Sequence, residues 1–132
     1  MTCKRSILLV DDEVSILRTL RMVFEHEGYD VATAENSVQA LALLTKNGHF
    51  DAVITDLNME KEDIGLEVAR AAMNCKPKPA VVVCTGFASA NNTRAALDIG
   101  IDYMAYKPVE LEDLISALNR LILRSQDSGD KQ

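Results

Sequence analysis

The chain has 132 residues, 48% of them hydrophobic and 26% charged, which describes one globular domain with enough apolar material for a core that needs neither disulfides nor a metal. A formal charge of −6 offers no basic stripe for a phosphate backbone and argues against direct nucleic-acid binding by this segment. No apolar run reaches the length of a membrane span, and Cys3, Cys75 and Cys84 show no CxxC spacing and leave one thiol over in any pairing. The expectation is a reduced, cytoplasmic protein without a membrane anchor, disulfide framework or zinc site.

From Ser6 onward, short runs of β-branched and aliphatic residues alternate with longer stretches at helical spacing. Ile7 to Val10 predicts the first strand, stopped at once by Asp11-Asp12-Glu13 as no signal-peptide core would be. A helix follows from about Glu13, with Ile16, Leu17, Leu20, Val23 and Phe24 at three- and four-residue steps and Gly28 closing it. Tyr29 to Ala34 is the second strand. Asn36 and Gln39 have the spacing of a capping box, and Val38, Leu41 and Leu44 follow in helical register as far as Gly48. Ala52 to Thr55 is the third strand. Beyond an acidic loop, Leu66, Ala69 and Met73 mark a short helix that must end before Pro77 and Pro79, because a residue ahead of proline avoids the helical region.

Ala80 to Cys84 is apolar throughout, as a strand covered on both faces should be. Residues 88 to 98, closed by Gly100, are helical by alanine content but carry only Leu97 as a large apolar anchor, so this helix should pack loosely. Tyr103 to Tyr106 predicts the fifth strand. Leu111, Leu114, Ile115, Leu118, Leu121 and Ile122 then form the clearest amphipathic stripe, with Glu110, Glu112 and Asp113 where the helix dipole favours acids. Ser125 to Gln132 is a polar tail expected to fray. No internal repeat or second domain stands out.

Five strands alternating with five helices imply a doubly wound α/β fold: a parallel sheet, helices on both faces, right-handed crossovers. Every strand of such a sheet delivers its C-terminal end to one edge, where ligands bind. That edge collects Asp11-Asp12 after the first strand, Asp56 after the third, Thr85-Gly86 after the fourth and Lys107-Pro108 after the fifth. Each has a plainer reading when taken singly. Asp56 is a turn former or helix cap, Asp11-Asp12 caps the next helix, Thr85-Gly86 is a turn, and Lys107 is a solvated loop residue. Their joint order is what carries weight.

Three carboxylates a few ångströms apart repel by roughly 4 kcal/mol per pair at 4 Å for an effective dielectric near 20, and so call for a cation. An oxygen-only cluster without His or Cys suits Mg²⁺, which keeps several waters and completes its shell with phosphate oxygens. Lys107 adds a point charge and Thr85 a hydroxyl. With the metal they would enclose a phosphoryl group on Asp56, since a carboxylate nucleophile can form an acyl phosphate.

The order Asp11-Asp12-Glu13, Thr55-Asp56-Leu57-Asn58-Met59, Cys84-Thr85-Gly86-Phe87-Ala88 and Tyr106-Lys107-Pro108 resembles the receiver domain of two-component response regulators, over about residues 5 to 124. The resemblance implies a flavodoxin-like sheet of strand order 2-1-3-4-5, with a receiver domain over residues 1–124 and a tail or linker start over 125–132. It implies that Asp56 accepts phosphate from a histidine kinase or phosphotransfer protein. Asp12 and Asp56 would bind Mg²⁺ directly, Asp11 through water, and the Asn58 backbone carbonyl would complete the site. Thr85 would sense the phosphate, and Lys107 would contact it ahead of a cis peptide to Pro108. Such a domain catalyses only its own phosphorylation and dephosphorylation, and works as a switch whose helix 4, strand 5 and helix 5 face addresses an output domain or protein.

Three departures from the family pattern stand out. Glu60 occupies the place of a usual proline and Gly65 comes one position late, in a loop that adds Lys61, Glu62 and Asp63. Met104 sits where the family has a switch aromatic; Tyr106 shares its face by strand alternation, and Met104 reads as core filler. Phe87 puts an apolar ring near the phosphoryl pocket, where restricted water would slow self-dephosphorylation. Two other readings are a docking module that no longer takes phosphate and a phosphatase with an aspartyl nucleophile. The latter would want an acid where Asn58 stands. Nothing after Leu123 has the makings of an output module, so the expectation is a single-domain regulator or a receiver from a longer protein.

Overall fold

The computed structural model describes residues 5–46, 49–59, 61, 64–86 and 89–130, with side chains as far as Leu123. Cys3, Gly48, Glu60, Glu62, Asp63 and Phe87, on which expectations were placed above, lie outside the described residues. Ten elements alternate: β1 (Ser6–Val10), α1 (Val14–His26), β2 (Asp30–Ala34), α2 (Ser37–Lys46), β3 (Ala52–Asp56), α3 (Ile64–Met73), β4 (Ala80–Thr85), α4 (Ala90–Ile99), β5 (Tyr103–Tyr106) and α5 (Leu111–Asp130). The strands pair in parallel in the order β2-β1-β3-β4-β5, the expected flavodoxin-like, doubly wound sheet. None of the described helices is long and apolar enough to cross a membrane.

Alternate residues of a strand face opposite ways, so the three central strands feed two cores. Ile7 and Leu9 of β1, Ile54 of β3 and Val82 and Cys84 of β4 face α1 and α5, meeting Leu17, Phe24, Leu114, Leu118 and Ile122. Leu8, Val10, Val53, Val81 and Val83 face the other way, against Ala40 and Leu44 of α2 and Val68, Ala69 and Ala72 of α3. Burial on both sides is why these strands read as unbroken apolar runs. Tyr29 sets its ring edge-on to Phe24 at a centroid distance of 5.8 Å, and its hydroxyl donates to Asn119 Oδ1, tying the end of α1 to α5.

The helix boundaries follow from local chemistry. Gly28 and Gly100 take φ of +98° and +88° just past α1 and α4, a left-handed turn that a side chain would resist. Ahead of α2, Asn36 Oδ1 accepts from the Gln39 N–H at 2.9 Å, and Gln39 Oε1 accepts from the Glu35 N–H at 2.8 Å. This is the expected reciprocal cap, its return bond landing one residue earlier than in the usual box.

Periodicity misplaced two large side chains. Val38 of α2 is 73% exposed and Leu97 of α4 is 71% exposed, while the faces turned inward carry Ser37, Ala40 and Leu44 in α2 and Asn92 and Ala96 in α4. One residue along a helix turns a side chain by about 100°, so the phase is settled by whichever residues let the helix approach closely, and here those are small. Likewise Gly65, Val68, Ala69 and Ala72 form the deep face of α3, with Leu66 and Met73 half-buried beside it. The segment expected to fray from Ser125 continues as backbone helix to Asp130, since extending a helix already docked through Leu118 and Ile122 needs no new nucleus.

These assignments give a direct test. Phe24→Ala, at a fully buried position, should lower unfolding free energy by about 3–5 kcal/mol in a urea titration, whereas Leu97→Ala should change it by no more than about 0.5 kcal/mol.

Candidate functional site

The C-terminal edge of the sheet sets its charged side chains on backbone that is hydrogen-bonded at Asp11, at the strand end after Asp56 and at Lys107. Asp11 follows β1, its N–H donates to the Ala34 carbonyl at 3.1 Å, and its own Oδ1 accepts from the Glu13 N–H at 2.9 Å. Asp56 is the last residue of β3, opposite Cys84 in register, and the Leu57 N–H carries the ladder one step further by donating to the Cys84 carbonyl at 2.8 Å. α3 begins against this strand end. The Gly65 N–H donates to the Leu57 carbonyl at 2.8 Å, and a Cβ at position 65 would lie 2.0 Å from the Asp56 carbonyl oxygen. Only glycine allows that approach.

The side chains then converge. Carboxylate oxygens of Asp11, Asp12 and Asp56 all lie within 4.8 Å of one another, with Asp11 and Asp56 buried and Asp12 exposed. Lys107 Nζ is 3.2 Å from Asp56 Oδ1 and 3.6 Å from Asp11 Oδ2, and the Lys107 N–H donates to the carbonyl of the fully buried Thr85 at 2.8 Å. The Lys107–Pro108 bond is cis, as the resemblance implied; Lys76–Pro77 is cis as well. An all-oxygen donor set this close, without His or Cys among its ligands, fits a hard divalent cation such as Mg²⁺ better than a softer metal.

Electrostatics within the group are unbalanced. Burial raises the Asp56 carboxyl above its ordinary 3.8, and Asp11 and Asp12 raise it further, against the lowering effect of Lys107. Burial alone would lower the Lys107 ammonium, but Asp56 and Asp11 outweigh it and hold it raised. Cys84, beneath Asp56, is pushed up to about 12, chiefly by burial, and stays a neutral thiol.

Met104 and Tyr106 stand apart from the acids. Met104 is half-buried against the α2–α3 core, which is what a core filler does, and Tyr106, the register partner of Thr85, is 58% exposed. Asn58 is exposed just beyond Asp56. Cys84 was not anticipated as part of the site, and Gly65 was noted only as a family glycine come one position late. Cys84 gave a faint signal as the only sulfur in an otherwise aliphatic run, while the closeness of Gly65 to Asp56 depends on how α3 docks and has no local signature.

The raised Asp56 carboxyl has a consequence for stability. The folded chain binds this proton more tightly than the unfolded one, so stability falls as pH rises from the ordinary carboxylate range through the raised folded value. Asp56→Asn should therefore raise the melting temperature by a few degrees at pH 7 in chelator. That gain should shrink steadily as pH is lowered toward 4, which calorimetry over a pH series would measure.

Comparison with known proteins agrees with this geometry. Residues 7–119 match the response regulator receiver domain family. The response regulator MprA of Mycobacterium sp. (strain KMS) is 36% identical over 124 residues, which are 93% of this chain and 53% of that protein. The alginate biosynthesis transcriptional regulatory protein AlgB of Pseudomonas aeruginosa is 40% identical over 120 residues, 89% of this chain and 26% of that one. The chain thus spans about half the length of MprA and about a quarter of AlgB. Among solved structures, a CheY-like receiver domain protein from Methanospirillum hungatei JF-1 superposes with a TM-score of 0.89 at 28% identity, covering 96% of this chain and 99% of that one. A response regulator from Burkholderia pseudomallei, solved with a phosphorylated aspartic acid, a calcium ion and citrate, gives a TM-score of 0.80 at 27% identity over 96% of this chain and 73% of that one. With its family match, its strand order and its acidic edge in agreement, this chain belongs to the response regulator receiver domains, which work in phosphorylation-based two-component signalling.

Proposed function

We propose that Asp56 is the phosphoacceptor of a cytoplasmic signalling switch, taking its phosphoryl group from a histidine kinase or a phosphotransfer protein. The observation that carries this reading is Lys107 Nζ at 3.2 Å from Asp56 Oδ1, within a cluster of three carboxylates on the sheet edge where α/β folds bind ligands. Asp12 and Asp56 would hold Mg²⁺ directly, Asp11 through water, with the Asn58 backbone carbonyl completing the site; when bound, the ion supplies positive charge against the phosphoryl oxygens.

The chain's own groups do the positioning. A carboxylate oxygen of Asp56 attacks phosphorus in line as the P–N bond to the donor histidine breaks, and the departing imidazole takes up a proton. The hydrogen-bonded strand end keeps that oxygen from turning away. Lys107 transfers its ammonium from the bare carboxylate to the new phosphoryl oxygens, and Thr85 turns its hydroxyl toward them. Both residues are joined through the Lys107 N–H to Thr85 carbonyl bond, so their movement is shared.

That movement should be felt first by α4. Its fully buried side chains are Asn92 and Ala96, an amide and a methyl group, with Ile99 partly buried and Leu97 turned outward. An element held by so little apolar contact moves at small energetic cost, and its shift would remodel the α4–β5–α5 face presented to an output domain or target protein. Both MprA and AlgB extend well beyond the region matched here, and AlgB is a transcriptional regulatory protein, which supports an attached or separate output.

Acetyl phosphate with Mg²⁺ should give a covalent adduct of one phosphoryl group by intact mass, lost in Asp56→Asn or in chelator and formed about a hundredfold more slowly in Lys107→Ala. No adduct would point to a docking module, and continuous phosphate release without an adduct to a phosphatase. Hydrogen exchange across residues 90–99 should change on phosphorylation while β1 and β3 stay protected; equal protection of α4 in both states would count against the switch.

A further inference from the structure

One buried hydroxyl has no part in the chemistry described so far. Thr55, the residue before Asp56 in β3, is fully buried. Its register partners are Val10 on β1 and Val83 on β4, and its neighbours two residues away on the same face are Val53 and Leu57, all four of them members of the α2–α3 core. A hydroxyl set among aliphatic side chains costs free energy unless it is hydrogen-bonded, and valine would fill the same space with no such demand.

The Thr55 hydroxyl does have a partner: it donates to the backbone carbonyl of Asp56 at 3.0 Å. That carbonyl belongs to the peptide unit joining Asp56 to Leu57, which is gripped at two other points. The Leu57 N–H donates to the Cys84 carbonyl at 2.8 Å, and Gly65 packs so close that a Cβ there would lie 2.0 Å from the Asp56 oxygen. A peptide unit is planar, so all three contacts act on one rigid body. Because that body is attached directly to the Asp56 Cα, a tilt in it redirects the side chain that Lys107 meets at 3.2 Å.

We propose that Thr55 is a positioning residue for phosphoryl transfer: its hydroxyl locks the Asp56–Leu57 peptide plane and so keeps the Asp56 carboxylate aimed for in-line attack. Thr55 touches no reacting atom and acts only through the main chain of Asp56. The effect on phosphorylation rests on the reading of Asp56 given above, whereas the hold on the peptide plane does not.

Thr55→Val exchanges the hydroxyl for a methyl group among residues that are already aliphatic. At saturating Mg²⁺ and acetyl phosphate this variant should be labelled about tenfold more slowly than the wild type, with no fall in melting temperature, and Thr55→Ser should recover most of the rate. In chelator, with no phosphodonor present, the Leu57 amide should exchange about tenfold faster in Thr55→Val than in the wild type or Thr55→Ser, while amides in the middle of β1 stay as protected as before. Thr55→Ala, shown to be folded by circular dichroism, carries the same expectations for rate and exchange and covers the case in which the valine variant fails to fold. Wild-type labelling or wild-type Leu57 exchange in a folded variant without the hydroxyl would overturn the proposal, as would failure of Thr55→Ser to restore either. So would a slower rate accompanied by faster exchange throughout β1 and β4, the mark of general destabilisation. A wild-type chain that takes no phosphoryl group would overturn the reading of Asp56 and the rate effect with it, and Leu57 exchange would then decide alone whether Thr55 holds the plane.

Discussion

Mutual repulsion among three carboxylates is the constraint on which this molecule turns. Asp11, Asp12 and Asp56 stand within 4.8 Å of one another, with hydrogen-bonded backbone beneath Asp11 and Asp56, and Lys107 sets one positive charge against them. At such distances each pair opposes the others by a few kcal/mol even at an effective dielectric near 20, on the order of the net stability of a whole domain. Burying two of the acids adds to that cost, and the fold carries it because the sheet beneath them is packed on both faces. The unrelieved charge is also what suits the edge to a hard divalent cation.

Rigidity beneath the acids and looseness beside them come from the same packing rule. β1, β3 and β4 are covered on both faces by large side chains interdigitating with α1, α5, α2 and α3, so the strand ends cannot tilt without disturbing two cores. α4 has a thinner hold, because its fully buried side chains are a methyl and an amide and its one large inward apolar residue, Ile99, is only partly buried. A firmly packed site thus lies beside a more thinly packed helix.

Close approach matters as much as charge. α3 starts so near the end of β3 that position 65 admits no side chain, and the Leu57 carbonyl and amide are both engaged, one by Gly65 and the other by Cys84. The backbone immediately after Asp56 is thus fixed from two directions. Gly65 comes one position later than the family pattern, yet it still packs against the Asp56 carbonyl.

Element order, the parallel sheet and the convergence of Asp11, Asp12, Asp56 and Lys107 could all be read from the residues alone. Strand and helix periods differ, and in a parallel sheet every strand must deliver its end to one edge, so local pattern and topology suffice. The phase of α2 and α4 could not be read that way. Val38 and Leu97 are the conspicuous apolar residues, but Ala40 and Ala96 let the helices come close, and which face turns inward is a property of the docked pair rather than of the helix. The same holds for Gly65 against Asp56 and for Cys84 beneath it. Each is a distance between elements remote in sequence, and such distances exist only once the whole chain has packed.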